Sequence, residues 1–278
     1  MRGLIVWALM WGLGVSLARG ADAVAPATVS FATEDGGVVY ADVYGAGEHG
    51  VVLAHGGRFT KESWAKQARL LVKAGFVVMA IDFRGRGKSH GPGGMEASDA
   101  QLEMDVMATV HYLHAHGAKT VSIVGGSMGG AAAGDASIVS KPGEIDRIVM
   151  LGAAPNLPAD KLKSPALFIV ARKDTSGDGP RLPGIQKQYD KAPQPKKLVI
   201  LEGTAHAQFL FATNQGDRVM REILGWLDPK RAGCTRRGMI RGMERRAQIP
   251  EILVSAINFA APFRGSVRKS SATLPFLK

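Results

Sequence analysis

The stretch VSIVGGSMGG, residues 121–130, decides the fold. It opens on a short β-branched run, the composition of a buried strand, and it leads into AAAGDASIV, an alanine-rich stretch suited to a helix. Between the two lies Gly125-Gly126-Ser127-Met128-Gly129, a G-x-S-x-G pattern. A strand that turns at once into a helix forces the corner residue into a strained conformation. Bulky side chains two positions to either side would then strike the adjoining strand and helix, and glycines at 125 and 129 remove that collision. The corner lifts the Ser127 hydroxyl off the sheet edge. The helix start beside it offers unpaired N–H groups and positive dipole to a developing anion. Ser127 is therefore a candidate nucleophile, with the Met128 N–H as a candidate oxyanion donor.

On both sides of this corner, short β-branched runs alternate with helical stretches, the pattern of βαβ units and a mainly parallel sheet. A hairpin comes first, ATVSFAT and VVYADVYG around the turn Glu34-Asp35-Gly36-Gly37. Strands are expected at 51–54, 76–81, 120–124, 147–151, 166–170 and 197–201. Helices are expected at 62–73, 98–116, from 128 onward, at 184–191 and at 215–227. Only about a dozen residues join the strand ending at Leu151 to the next, too few for a lid domain. The fold class is α/β: a mostly parallel eight-stranded sheet, helices on both faces, and an antiparallel hairpin at its N-terminal end.

The 278 residues, 46% hydrophobic, can bury a full core, and one large domain is expected over 24–231. Residues 1–23 read as a secretory signal peptide, with a basic Met1-Arg2, an apolar run shorter than a membrane span, and small residues around Ala21 for cleavage. A secreted or periplasmic location, without stable membrane insertion after cleavage, follows as an expectation. Cys234 is the only cysteine, so no intramolecular disulfide can form and the core must supply the stability.

The net charge of +11 is unevenly placed. Residues 230–278 hold 11 Lys/Arg against 2 Asp/Glu, Arg2 and Arg19 lie in the leader, and residues 21–229 balance 22 against 22. A basic segment at 232–278, read as mostly disordered, is not a basic binding face, and no nucleic-acid partner is expected for the folded domain.

Over residues 29–227 the chain resembles the α/β-hydrolase family. The matching motifs are a strand followed by His55-Gly56-Gly57, a strand followed by Asp82-Phe83-Arg84-Gly85-Arg86-Gly87-Lys88-Ser89, the serine corner, and late Asp and His loops. The resemblance implies the chain order nucleophile, acid, histidine. A serine hydroxyl is nearly inert at neutral pH and needs a base within hydrogen-bond reach. Six histidines precede Ser127; only His206 follows it, just beyond the strand KLVIL. The acid must orient the imidazole and stabilise its charge. Candidates between the two are Asp135, Glu144, Asp146, Asp160, Asp174, Asp178, Asp190 and Glu202. Asp174, directly after the strand ALFIVA, is preferred, with Asp178 as runner-up. The second oxyanion donor is expected from the Gly57 N–H, with Arg58 as the alternative, and His55 is expected to be structural.

Other signals are weaker. His111, His114 and His116 lack the i, i+4 spacing of a helical metal pair, and the loop 84–89 lacks the G-x-x-x-x-G-K-[ST] spacing of a phosphate loop. Trp64, Phe59, Phe209 and Phe211 flank the motif loops and fit either a pocket or the core. No metal or organic cofactor is implied. The resemblance implies a serine hydrolase acting on a small-molecule ester through an acyl-enzyme. A peptidase, a thioesterase, a lysophospholipase or a non-catalytic binding protein on the same scaffold are the alternatives. The oligomeric state is not legible.

Overall fold

The computed structural model describes residues 25–95 and 101–228. The expected leader at 1–23, Cys234 and the basic segment from 232 lie outside the described residues.

Eight strands form one sheet: β1 (Ala27–Ala32), β2 (Val38–Tyr44), β3 (His49–Ala54), β4 (Val77–Asp82), β5 (Thr120–Gly126), β6 (Ile148–Leu151), β7 (Ala166–Ala171) and β10 (Lys196–Leu201). Between β7 and β10 lies a two-residue hairpin, β8 (Thr175–Ser176) against β9 (Gly179–Pro180). The order across the sheet is β1-β2-β4-β3-β5-β6-β7-β10. The β1–β2 and β2–β4 pairings are antiparallel and the remaining ones are parallel.

The central strands are buried on both faces, as continuous apolar runs require. Along β3, Val51 and Leu53 join one core while Val52 and Ala54 join the other. The first core is closed by α1 (Ala65–Lys73) through Ala68 and Leu71 and by α5 (Gly216–Leu227) through Val219, Met220 and Ile223. The second is closed by α2 (Leu102–Ala115) through Val106 and Val110, by α3 (Met128–Val139) through Ala132, Ala133 and Ala136, and by α4 (Leu182–Lys191) through Ile185. Helices thus cover both faces. Among the described residues, no helix is long and apolar enough to cross a membrane.

The expected elements are present, with shifts at their ends. The helix expected from residue 62 starts as a 3-10 turn, Lys61–Trp64, because the Lys61 N–H donates to Asp82 Oδ1 at 2.8 Å and the Ser63 hydroxyl turns back to the Thr60 carbonyl at 2.6 Å. The helix expected from residue 98 is helical from Leu102, and 96–100 lie outside the described residues. The connection from β6 to β7 holds only the 3-10 turn Ala159–Lys161.

Parallel pairing makes β3, β5, β6, β7 and β10 end at one edge. Ala54 lies beside Gly125, Gly126 beside Leu151, and Leu201 beside Ala171. The loops leaving that edge carry Gly56-Gly57, Ser127, Gly152, Asp174 and His206, brought together from positions up to 150 residues apart.

Candidate active site

Ser127 occupies the corner between β5 and α3 with φ 51° and ψ −118°. A non-glycine residue held there costs about 1–3 kcal/mol, so the surroundings must enforce it. They do so from both sides. The Ser127 N–H donates to the Leu151 carbonyl at 2.9 Å, and its carbonyl accepts from the Ala131 N–H at 3.0 Å. A Cβ on Gly125 would collide with the carbonyl of Gly129, and one on Gly129 would collide with the carbonyl of Ala54.

His206 follows β10 and precedes a 3-10 segment, Ala207–Ala212. Its Nε2 lies 2.8 Å from Ser127 Oγ, and its Nδ1 lies 2.8 Å from Asp174 Oδ2. With Asp174 ionised, Nδ1 carries the proton and donates to the carboxylate, leaving Nε2 free to accept from the serine hydroxyl. Asp174 is fully buried in the turn after β7, where its N–H donates to the Ala171 carbonyl at 3.1 Å. The runner-up, Asp178, is exposed in the turn between β8 and β9, and its N–H donates to Ser176 Oγ at 3.3 Å.

Four of the other carboxylates between serine and histidine have partners elsewhere. Asp135 accepts from Asn156 Nδ2 and the Leu157 N–H, Glu144 faces His111, Asp190 accepts from Gln186, and Glu202 pairs with Arg172. His111, His114 and His116 give ring nitrogens to Glu144, to the Glu144 and Ala118 carbonyls, and to the Tyr112 carbonyl.

Among the described residues, neither the Met128 N–H nor the Gly57 N–H has a hydrogen-bond partner. The two residues are neighbours in space, since a Cβ on Gly57 would meet Met128 Sδ at 3.7 Å. The Gly56 N–H is different: it donates to Gln208 Oε1 at 2.7 Å, while Gln208 Nε2 donates to Ser63 Oγ at 2.8 Å. Gln208, two residues past the histidine, therefore ties the histidine loop to the glycine loop. Sequence reasoning missed it.

His55 is wholly buried. Its Nδ1 faces the Gly56 carbonyl at 2.9 Å, and its Nε2 accepts from the Phe83 N–H at 3.3 Å. Burial holds its pKa below the usual imidazole value, so it stays neutral and braces the loop, the structural placement expected for it. The aromatic set divides. Trp64 is completely buried and meets Phe211 edge-on at 5.8 Å, in the core. Phe59 and Phe209 lie 5.2 Å apart on the two loops, with Phe209 about half exposed at the surface.

A cavity of about 450 Å³ opens beside Ser127, lined by residues of α3, of the segment after β6 and of the start of α4. Gly152 also escaped sequence reasoning, although a glycine directly after an apolar strand is the same signal as Gly125; its φ is +61° and it packs against His206 and Asp174.

Comparison with known proteins agrees with the fold. Residues 45–173 match a family model described as serine aminopeptidase, S33. That match spans the serine corner and stops one residue before Asp174. No curated protein matches the chain by sequence. Among solved structures the chain is similar to the esterase Pf2001 of Pyrococcus furiosus, 19% identical over 73% of this chain and 93% of that one, with a TM-score of 0.60. It is similar to the esterase RhEst1 of a Rhodococcus species, 16% identical over 72% and 98%, TM-score 0.59. It is also similar to epoxide hydrolase A of Mycobacterium thermoresistibile, 17% identical over 73% and 98%, TM-score 0.57.

Proposed function

The chain has the α/β-hydrolase fold, and on that premise we propose that it is a serine hydrolase cleaving carboxylic esters through an acyl-enzyme. The observation that carries the reading is the relay Ser127 Oγ–His206 Nε2–His206 Nδ1–Asp174 Oδ2, with 2.8 Å at each of its two hydrogen bonds. Ser127 attacks the ester carbonyl while His206 Nε2 takes its proton. Asp174 keeps the imidazole in the tautomer that can do so and stabilises the imidazolium. The tetrahedral oxyanion settles against the Met128 and Gly57 N–H groups, which are free for it, and the positive end of α3. Collapse breaks the ester C–O bond, and His206 returns the proton to the leaving alkoxide. Water, activated by the same imidazole, then attacks the acyl-serine and releases the acid.

The short β6–β7 connection leaves the cavity open, which supports a small or soluble acyl substrate. Two of the three named structural relatives are esterases, which supports an ester over a peptide. Export is part of the same proposal, and it rests on the leader-like residues 1–23.

A fluorophosphonate probe tests the nucleophile and a p-nitrophenyl ester series tests the substrate. Ser127 is expected to be labelled, short esters to be turned over, and Ser127→Ala to lose about 10⁴-fold or more in kcat. An unlabelled folded protein defeats the hydrolase reading. Turnover of peptide amides in preference to esters replaces it with the peptidase alternative.

A further inference from the structure

The cavity beside Ser127 has an uneven lining. Small and apolar residues dominate it, among them Ala131, Ala153, Ala154 and Ile185, and Arg181 is the only charged residue lining it among the described residues. The amide side chain there, Asn156, has its Nδ2 committed to Asp135 Oδ2 at 2.9 Å.

Arg181 is held firmly. It follows β9, its N–H donates to the Asp174 carbonyl at 2.9 Å, and its own carbonyl accepts from the Ile185 N–H at 3.1 Å in the first turn of α4. Its Nε is buried and lies 3.6 Å from Asp174 Oδ1, within ion-pair range but too far for a hydrogen bond. Both atoms are buried without a hydrogen-bond partner among the described residues. The side chain as a whole is 35% exposed, and none of its guanidinium N–H groups donates to the protein among the described residues.

A guanidinium acting only as counter-ion to Asp174 would be expected to close a fork on the free oxygen, because a planar, two-pronged donor gains most from bidentate geometry. Arg181 instead faces that oxygen through Nε alone, at long range. Its remaining donors are left over on a side chain anchored beside the nucleophile, in a cavity otherwise lacking charge. Such a group is matched by a ligand with two coplanar oxygens.

We propose that Arg181 is a specificity-determining residue that selects substrates bearing a carboxylate, so that the ester cleaved is a half-ester of a dicarboxylic acid or an ester of comparable negative charge. This rests on the serine-hydrolase reading. It adds to that reading the charge of the substrate.

The test compares mono-p-nitrophenyl glutarate with p-nitrophenyl valerate, which have the same acyl length and differ in the terminal carboxylate. Wild type is expected to favour the glutarate in kcat/KM by on the order of tenfold, the yield of one charge-assisted pair. Arg181→Gln should bring that ratio towards one, chiefly by raising KM for the glutarate. Arg181→Glu should carry it below one, and Arg181→Lys should keep part of it. A wild-type ratio near one, or a ratio that survives Arg181→Gln while both esters slow together, overturns the proposal and leaves Arg181 as a neighbour of Asp174.

A binding arm separates this from failure of the hydrolase reading. By calorimetry, Ser127→Ala should bind glutarate monomethyl ester, and Ser127→Ala with Arg181→Gln should not. If wild type cleaves neither ester and this difference persists, the anion site stands and the hydrolase reading falls. If the valerate is cleaved and the difference is missing, the hydrolase reading stands and the anion site falls.

Discussion

Gly152 lies where any side chain would strike the imidazole of His206: a Cβ there would stand 2.9 Å from Nδ1 and 3.1 Å from Asp174 Oδ2. Those are the two atoms of the hydrogen bond between the imidazole and the carboxylate. The absence of a Cβ at 152 is therefore part of what lets His206 and Asp174 meet.

Gly152→Ala should lower kcat on short esters by about 100-fold, the scale of effect expected when a catalytic group is displaced by about 1 Å. The cost in stability should be smaller, about 1–2 kcal/mol, because the residue also sits at φ +61°. Steady-state kinetics beside a thermal melt separates the two effects. A variant that melts lower yet turns over at the wild-type rate contradicts the assignment.

Gln208 should act on the oxyanion side. Gln208→Leu keeps the bulk but leaves the buried Gly56 N–H without its 2.7 Å acceptor, and it releases Ser63. Stability should fall by about 1–3 kcal/mol, the penalty of one unpaired buried donor. If the glycine loop positions the Gly57 N–H, kcat should fall while KM changes little. Gln208→Glu, which restores an acceptor for Gly56, should recover part of kcat. Loss of stability with kcat intact would confine Gln208 to packing.

The acid side of the stability curve should depend on Asp35. Hydrogen bonds from Arg84, at 2.7 Å from Nη1 to Oδ2, hold its pKa at about 2 against an ordinary 3.8. A lowered carboxylate pKa stabilises the fold above the unfolded value, and that contribution disappears as pH falls from about 4 to 2. It amounts to about 2 kcal/mol. Asp35→Asn should therefore be less stable than wild type at neutral pH, and the gap should close across that window in denaturant titrations. A gap that does not change with pH contradicts the assignment. Arg84 keeps its bonds to Asp105, at 3.0 Å from Nε and 2.8 Å from Nη2, so the variant should still fold.

The sequence carried most of the fold because the fold is repetitive where it matters. Each buried strand is a short apolar run, and the corner at Ser127 announces itself through four glycines within six residues. His206 was legible because it is the one histidine after the serine, and Asp174 because it follows closely on an apolar strand. Gln208, Gly152 and Arg181 were not. Their roles exist only where loops from different strands cross, and residue type alone does not encode that crossing. The aromatic residues make the same point. Phe209 and Phe211 are two positions apart in one 3-10 segment, yet one lies half exposed against Phe59 and the other packs on Trp64. Segments that short have no periodicity from which to read an inward face.

β10 hydrogen-bonds to the sheet only through β7, and it is the strand that delivers His206. The base of the proposed relay thus hangs from the outermost plank of the structure, whereas its serine is set near the middle. A strand paired along one side only keeps more of its backbone open to solvent, a mark of low local stability. Detachment of that margin would carry His206 away from Ser127 while the middle of the sheet stays paired, so the proposed relay is only as durable as the docking of one border strand.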